Sequence, residues 1–226
     1  MGYILHIEST TTQCSVALAK EGKVISLFEY NDKQYSHAEK LHVFIQKCLD
    51  QASLSIDQLS AVAVSKGPGS YTGLRIGVSA AKGICFALGI PLISVSTLLS
   101  MAHQVSVSSG VVIPVLDARR DEVYSAVFDS NYCQVREIKA EVIYKDSFNE
   151  YLEQGLVHVV GPGSEKCNRL LDKHPNLTFE SEDLLPSARQ MVSLAYELFS
   201  KKEFEDVAYF EPFYLKDFIA IPSNKI

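Results

Sequence analysis

Three groups of residues have types and spacings that chemistry could use. Glu8 closes an apolar run over residues 3–8 and is followed at once by Ser9, Thr10 and Thr11. A carboxylate at a strand end can hold a hydrated Mg²⁺ while neighbouring hydroxyls face phosphates. Asp117 stands in the comparable place after a second apolar run, over 111–116. The third group is the glycine-rich segment Gly67-Pro68-Gly69-Ser70-Tyr71-Thr72-Gly73-Leu74-Arg75-Ile76-Gly77. It lacks both the Lys-Ser/Thr ending of a P-loop and the spacing of a dinucleotide fingerprint. A strand-to-helix turn of this kind can still offer backbone N–H groups to an anion. The candidate nucleotide or anion residues are therefore Glu8, Ser9, Thr10, Gly67, Gly69 and Asp117. A plainer account stands beside this one, with the carboxylates as turn formers and the glycines as a tight turn that allows close packing.

Other chemistries find less support. The histidines, at 6, 37, 42, 103, 158 and 174, show no HxxH, HxxxH or HExxH spacing, so no metal site is expected. No serine has the nucleophile-elbow context. The cysteines, at 14, 48, 85, 133 and 167, form no CxxC pair and are odd in number, which points to buried structural thiols. The formal net charge is −6, and the only adjacent arginines are Arg119 and Arg120. Phosphate contacts supply most nucleic-acid affinity, so the chain is a poor candidate for binding nucleic acid alone. The first residues carry no basic leader and no apolar stretch is long enough for a membrane span, so a soluble cytosolic protein is expected.

The elements that must position these residues come in a repeated order. Strands are predicted over 3–8, 14–19 and 24–30, then a helix over 36–52 capped by Ser36 with Glu39 three residues on. A buried strand over 61–64 leads through the glycine-rich loop into a long helix ending near 88. A strand over 91–95 and a helix to about 104 follow. Residues 105–110, small and polar, read as a linker. The order then restarts, with strands at 111–116, 122–128 and 134–142, a helix over 145–154, a strand at 157–160, a second Gly-Pro-Gly-Ser at 161–164 and a helix to about 171. A short strand near 177–179, a helix over 188–204 and an aromatic tail (Tyr209, Phe210, Phe213, Tyr214, Phe218) close the chain. The two tetrapeptides lie 94 residues apart. A duplication explains the shared order, giving an α/β chain of two ββ-β-α-β-α lobes, 1–104 and 111–226, with the last helix able to pack back on the first lobe. This is the actin/sugar-kinase/Hsp70 (ASKHA) plan, in which a nucleotide lies between the lobes.

The long helix carries more apolar surface than one buried face requires. From 72 to 88 its only charged side chains are Arg75 and Lys82. Small residues at Gly73, Gly77 and Ala81, spaced by four, would let another helix approach closely. The first helix is apolar at Ala38, Leu41, Phe44, Ile45, Cys48 and Leu49, with Val43 off that stripe. Packing within the chain accounts for part of this. A subunit interface would account for the rest, built from Ala38, Leu41, Phe44, Ile45 and Cys48 with Gly73, Leu74, Gly77, Val78, Ala81 and Cys85.

Several of these segments resemble the TsaB (YeaZ) family. They are Ile4-Leu5-His6-Ile7-Glu8-Ser9-Thr10, Cys14-Ser15-Val16-Ala17-Leu18, Ser36-His37, the whole 67–77 segment, Leu116-Asp117-Ala118-Arg119-Arg120 with Glu122-Val123-Tyr124, and Pro212-Phe213-Tyr214-Leu215. The resemblance runs the length of the chain. It implies an ASKHA fold and a complex with TsaD, the subunit that holds a metal and transfers threonylcarbamoyl to N6 of the tRNA adenosine beside the anticodon. TsaE, an ATPase, is implied as a further partner. By the same resemblance this chain is a non-catalytic scaffold and activator that needs no cofactor of its own, ATP and metal being used by its partners. It would pair with TsaD through helices of the first lobe, self-associate by the same surface, and meet tRNA only inside the complex. TsaD-like proteins hold their metal with an HxxxH motif, which is absent here. Glu8 stands where relatives often have Asp, and this longer acid argues against a working Mg²⁺–phosphate site; Asp121 stands where they often have Gly and bears only on the turn. The rival expectations are an autonomous ATP-dependent small-molecule kinase using Glu8 and Asp117, and a metallopeptidase-like protein, which the missing histidines disfavour.

Overall fold

The computed structural model describes residues 2–31, 37–180 and 184–216. Its elements are strands β1 (Tyr3–Glu8), β2 (Gln13–Lys20) and β3 (Lys23–Asn31), helix α1 (His37–Gln51), β4 (Leu59–Gly67), α2 (Tyr71–Leu88), β5 (Leu92–Ser96) and α3 (Thr97–Ala102). The second half holds β6 (Val111–Asp117), β7 (Glu122–Asp129), β8 (Gln134–Val142), α4 (Asn149–Leu152), β9 (Val157–Val160), α5 (Ser164–Leu170), β10 (Leu177–Phe179) and α6 (Ala188–Lys201). The expected Ser36 cap and Phe218 lie outside the described residues.

Two five-stranded sheets form, ordered β3-β2-β1-β4-β5 and β8-β7-β6-β9-β10. In each, two antiparallel pairings open the sheet and two parallel ones complete it. Identical order and direction in both halves is what a duplicated unit produces, and together they make a two-lobed ASKHA fold. The repeated tetrapeptides mark equivalent turns: Gly67 (φ 110°) ends β4 and Gly161 (φ 108°) follows β9, in the left-handed region that favours glycine.

Alternation along the strands sets the layers. Leu5 and Ile7 of β1 meet Leu41, Ile45 and Cys48 of α1 and Val78, Ala81 and Cys85 of α2. The opposite face is lined with small residues, Ala17, Ala19, Ala61 and Ala63, so α6 can lie close, burying Ala188, Met191, Val192 and Ala195. α6, which follows the second sheet in the chain, thus packs on the first. In the second sheet Ile113 and Val115 face α4 and α5, while Val112 and Leu116 face Leu98, Met101 and Ala102 of α3. The layer order is α1/α2, first sheet, α6/α3, second sheet, α4/α5.

Three sequence expectations change. The helix predicted over 145–154 is a turn plus the single-turn α4, because Phe148 has φ 69° and stops a right-handed helix from starting earlier. The last helix stops at Lys201, where Lys202 takes φ 59°, and Phe204 folds back to Phe199 at 5.9 Å. Cys133 is exposed, whereas the other four cysteines are buried as expected. Burial pushes the thiols of Cys14 and Cys167 up to about 12. No helix among the described residues is long and apolar enough to cross a membrane.

Candidate functional sites in the cleft and on the first lobe

The ends of β1 and β6 meet across a cleft of about 1170 Å³ between the lobes. Its first-lobe wall is formed by Thr10, Thr11, Thr12 and the loop from Pro68 to Thr72. Its second-lobe wall runs from Leu116 to Arg120 and includes Glu122 and Tyr124. Of the six expected anion residues, Thr10, Gly69 and Asp117 line this cleft, and Glu8, Ser9 and Gly67 do not.

Glu8 is fully buried. Its Oε1 accepts from the Thr10 amide (2.7 Å) and the Thr10 hydroxyl (2.5 Å), and its Oε2 accepts from the Ser65 hydroxyl. Burial pushes its pKa above the usual carboxylate range, and these hydrogen bonds act against that rise. A carboxylate so enclosed does not reach a hydrated metal in the cleft, so Glu8 is a positioning residue for its own turn. This corrects the expected role.

The glycine-rich loop is spent in the same way. Ser70 N–H donates to Thr10 O (2.7 Å), and the Gly73 amide donates to Ser70 Oγ (3.3 Å) as the cap of α2. Ser9 Oγ donates to Gly73 O (2.9 Å). A Cβ at Gly69 would lie 2.5 Å from Thr10 Cβ, and one at Gly73 would lie 2.0 Å from Ser9 O. The glycines therefore let the β4–α2 loop clamp onto the β1–β2 turn, which takes the Ser70 N–H, while the Gly73 N–H goes to the helix cap, so neither is left for an anion. Gly67 is held from the other side, with Phe213 N–H donating to Lys66 O at 2.7 Å.

Asp117 is exposed. Its Oδ1 accepts from the Arg119 amide (2.7 Å) and Lys166 Nζ (2.9 Å). Glu122 pairs with Lys216, and Arg119 and Arg120 sit in the left-handed region at φ 68° and 51°. Tyr71, Tyr124 and Lys216 also line the cleft; the first two stand in segments singled out above but not as site residues, and nothing in the sequence marks Lys216. Among the described residues no group of three or more His, Cys, Asp or Glu side chains is placed to hold a metal ion.

The helical surface needs a second correction. Of the residues expected to meet a partner, only Ala38 is exposed; Leu41, Phe44, Ile45, Cys48, Gly73, Leu74, Gly77, Val78, Ala81 and Cys85 are buried within the first lobe. The small stripe Gly73, Gly77, Ala81 faces inward because Ser9 crosses beneath it: a Cβ on Gly77 would lie 2.2 Å from Ser9 Oγ. The outward face of α2 is the exposed stripe Thr72, Arg75, Ser79, Gly83, Phe86 and Ala87, among which Phe86 is 85% exposed, while Ile76 and Ala80 at its edge are half-buried against the first-lobe core. It carries one charge, Arg75, whose guanidinium lies 4.1 Å from the Tyr71 ring centroid. On α1 the exposed apolar residues are Ala38 and Val43. The signal for this face was present in the sequence: 72, 75, 79, 83, 86 and 87 repeat at helical period.

Comparison with known proteins places this architecture. The family model for TsaD, described as tRNA N6-adenosine threonylcarbamoyltransferase, matches residues 24–221. The chain is 32% identical to the tRNA threonylcarbamoyladenosine biosynthesis protein TsaB of Escherichia coli (strain K12), covering 96% of each chain. It is 31% identical to the protein of that name from Haemophilus influenzae, covering 95% of this chain and 93% of the other. The solved structure of YeaZ from Pseudomonas aeruginosa superposes with a TM-score of 0.81 at 25% identity, over 95% of this chain and all of that one. By full-length identity, family match and shared architecture, the chain belongs to the TsaB (YeaZ) family.

Proposed function

We propose that this chain serves tRNA threonylcarbamoyladenosine biosynthesis as a non-catalytic subunit that pairs with a TsaD protein through the outward face of α2 and the adjoining face of α1. The names of its full-length relatives support the pathway. The observation that carries the pairing is the outer face of α2, where a phenylalanine 85% exposed stands among exposed Ser79, Gly83 and Ala87. A large aromatic flanked by small residues is the anchor-and-socket pattern of a helix-packing interface. In this account chemistry, metal and ATP belong to TsaD and TsaE, tRNA is met in the assembled complex, and the same face supports self-association when TsaD is absent.

A kinase working in the interlobe cleft has less support. It would need the first-lobe carboxylate at the metal–nucleotide, and Glu8 is committed to Thr10 and Ser65.

The test is Phe86→Glu, with Gly83→Glu as a second variant. Both positions face outward and are exposed, so the lobe should keep its melting temperature while heterodimer with TsaD disappears from a sizing column. Reconstitution with TsaD, TsaE, the threonylcarbamoyl-adenylate synthase and tRNA should then lose the modified base. Undiminished TsaD binding by both variants would sink the assignment of this face. Modification that persists when the chain is omitted would sink the proposed role.

A further inference from the structure

Between its lobes the chain passes covalently twice, after α3 and before α6, and the two passages touch: Gln104 Nε2 donates to Leu185 O at 2.6 Å. Two adjacent passages form a hinge, which by itself leaves lobes free to open about it. A third link lies elsewhere, in the segment after α6. Glu205 is tied to β5, its N–H donating to Leu92 O (2.9 Å) and its Oε1 accepting from Ser94 Oγ (2.5 Å). Val207 and Phe210 then pack against the first-lobe core. Lys82, on α2 one turn before Phe86, donates to the carbonyls of Ala208 (3.2 Å) and Phe210 (2.9 Å), the residues on either side of Tyr209. Phe213 N–H holds Lys66 O, and Tyr214 meets Tyr71 with ring centroids 4.9 Å apart. The segment then reaches the other lobe, where Lys216 donates to Ala118 O (3.2 Å) and pairs with Glu122. Phe213 to Lys216 form part of the cleft wall.

We propose that residues 203–216 are a strap that sets the width of the interlobe cleft and couples that width to the outward face of α2 through Lys82. The grip on the first lobe is distributed over five sites, from Glu205 to Tyr214. The grip on the second rests, among the described residues, on Lys216. Two α2 side chains hold the strap, Tyr71 at the start of the helix and Lys82 one turn before Phe86, and Lys82 gives a change at the outer face its direct route to the cleft. This inference goes beyond pairing with TsaD, and its test needs no partner chain, so the two fail separately.

The test uses the full chain with spin labels at Gln46→Cys on α1 and Glu165→Cys on α5, both exposed helical positions on opposite lobes, in a Cys133→Ser background. The unmodified strap should give one narrow interlobe distance. Lys216→Met should broaden that distribution toward longer distances without altering exchange of the Phe213 amide. Lys82→Met should broaden it too, and should speed exchange of the Phe213 amide about tenfold, the size expected for losing roughly 1.4 kcal/mol of hydrogen bonding. Melting temperatures report whether either variant has lost the fold instead. Distributions matching the unmodified chain in both variants would overturn the strap. An effect from Lys216→Met with none from Lys82→Met would overturn the coupling to α2.

Discussion

The two lobes share strand order and direction, yet they spend their sequence differently. In the first, α1 has 15 residues and α2 has 18; their counterparts α4 and α5 have 4 and 7. The first lobe's strand-end carboxylate, Glu8, is fully buried and bonded to its own turn, whereas the second lobe's, Asp117, stands exposed at the cleft with Lys166. The comparison separates what the fold requires from what has been added to it. Short helices suffice to cover a sheet of this kind, as α4 and α5 show. The long pair on the first lobe therefore presents surface beyond what its sheet uses, and the turn beneath it is locked to keep α2 in place.

The largest difference between lobes should appear at the glycine clamp. Counting 94 residues on, Gly73 corresponds to Cys167, which is buried in the second lobe. The fold thus tolerates a side chain there, and only the close crossing of Ser9 forbids one in the first lobe. Gly73→Ala must push a backbone carbonyl aside and should cost about 3 kcal/mol, the overpacking range. Cys167→Ala removes one buried sulfur and should cost about 1 to 2 kcal/mol. Urea unfolding of both variants measures the pair. A Gly73→Ala cost no larger than that of Cys167→Ala would show that the clamp is not rigid.

Acid should act on the first lobe next. His6 is fully buried beside Glu8 on β1, and burial lowers its pKa to about 4, outweighing backbone hydrogen bonding at Ala17 and Ile4 that acts the other way. The folded pKa lies below the unfolded 6.5, so between these values the unfolded chain binds more protons and stability rises with pH. Acidifying from pH 6.5 to 4 should remove about 3 kcal/mol, at roughly 1.4 kcal/mol per pKa unit. Denaturant midpoints across that window check it, and His6→Val should flatten the profile. Glu8 acts in the opposite sense above its ordinary 4.5: its raised pKa means stability falls as pH rises there. Glu8→Gln should remove that decline. Asp117→Asn removes the charge from a half-exposed pair with Lys166 but keeps an oxygen for the Arg119 amide, and should change stability by about 1 kcal/mol. Equal responses to the two amide substitutions would erase the contrast between the carboxylates.

Much of the fold was legible because each half repeats the same signals: apolar runs ending at Glu8 and Asp117, then a Gly-Pro-Gly-Ser before a helix. The order of elements along the chain, and with it two α/β lobes, followed from that repetition. The helix over 145–154 was misread because apolar spacing does not reveal a left-handed Phe148, whose side chain is buried for reasons of tertiary packing. On α1 and α2, residue type singled out side chains that the structure turns inward. Apolar character at Leu41, Leu74 and Val78 is the mark of a core, and a sheet of the same chain claims such residues before any partner can. The small residues at 73, 77 and 81 carry no label saying whether they admit a foreign helix or the chain's own Ser9. Lys82 and Lys216 were invisible as strap anchors, since their partners are backbone carbonyls and an acid far away in sequence.

The smallest effect tests why the outer face of α2 is built as it is. A Cβ at Gly83 would meet nothing within 4 Å, so neither the fold nor the core asks for glycine there. Mid-helix glycine costs roughly 0.5 to 1 kcal/mol relative to alanine. Gly83→Ala should therefore stabilise the isolated chain by about that amount, read as a higher urea midpoint with an unchanged slope. The same substitution adds a methyl group beside Phe86 on the face assigned to the partner, where a closely packed helix would meet it. Weaker heterodimer formation together with a more stable monomer would show that Gly83 serves a second chain at the expense of its own lobe. A more stable monomer with TsaD affinity unchanged would place the contact elsewhere on α2 and narrow the interface toward the exposed Thr72, Arg75 and Ser79.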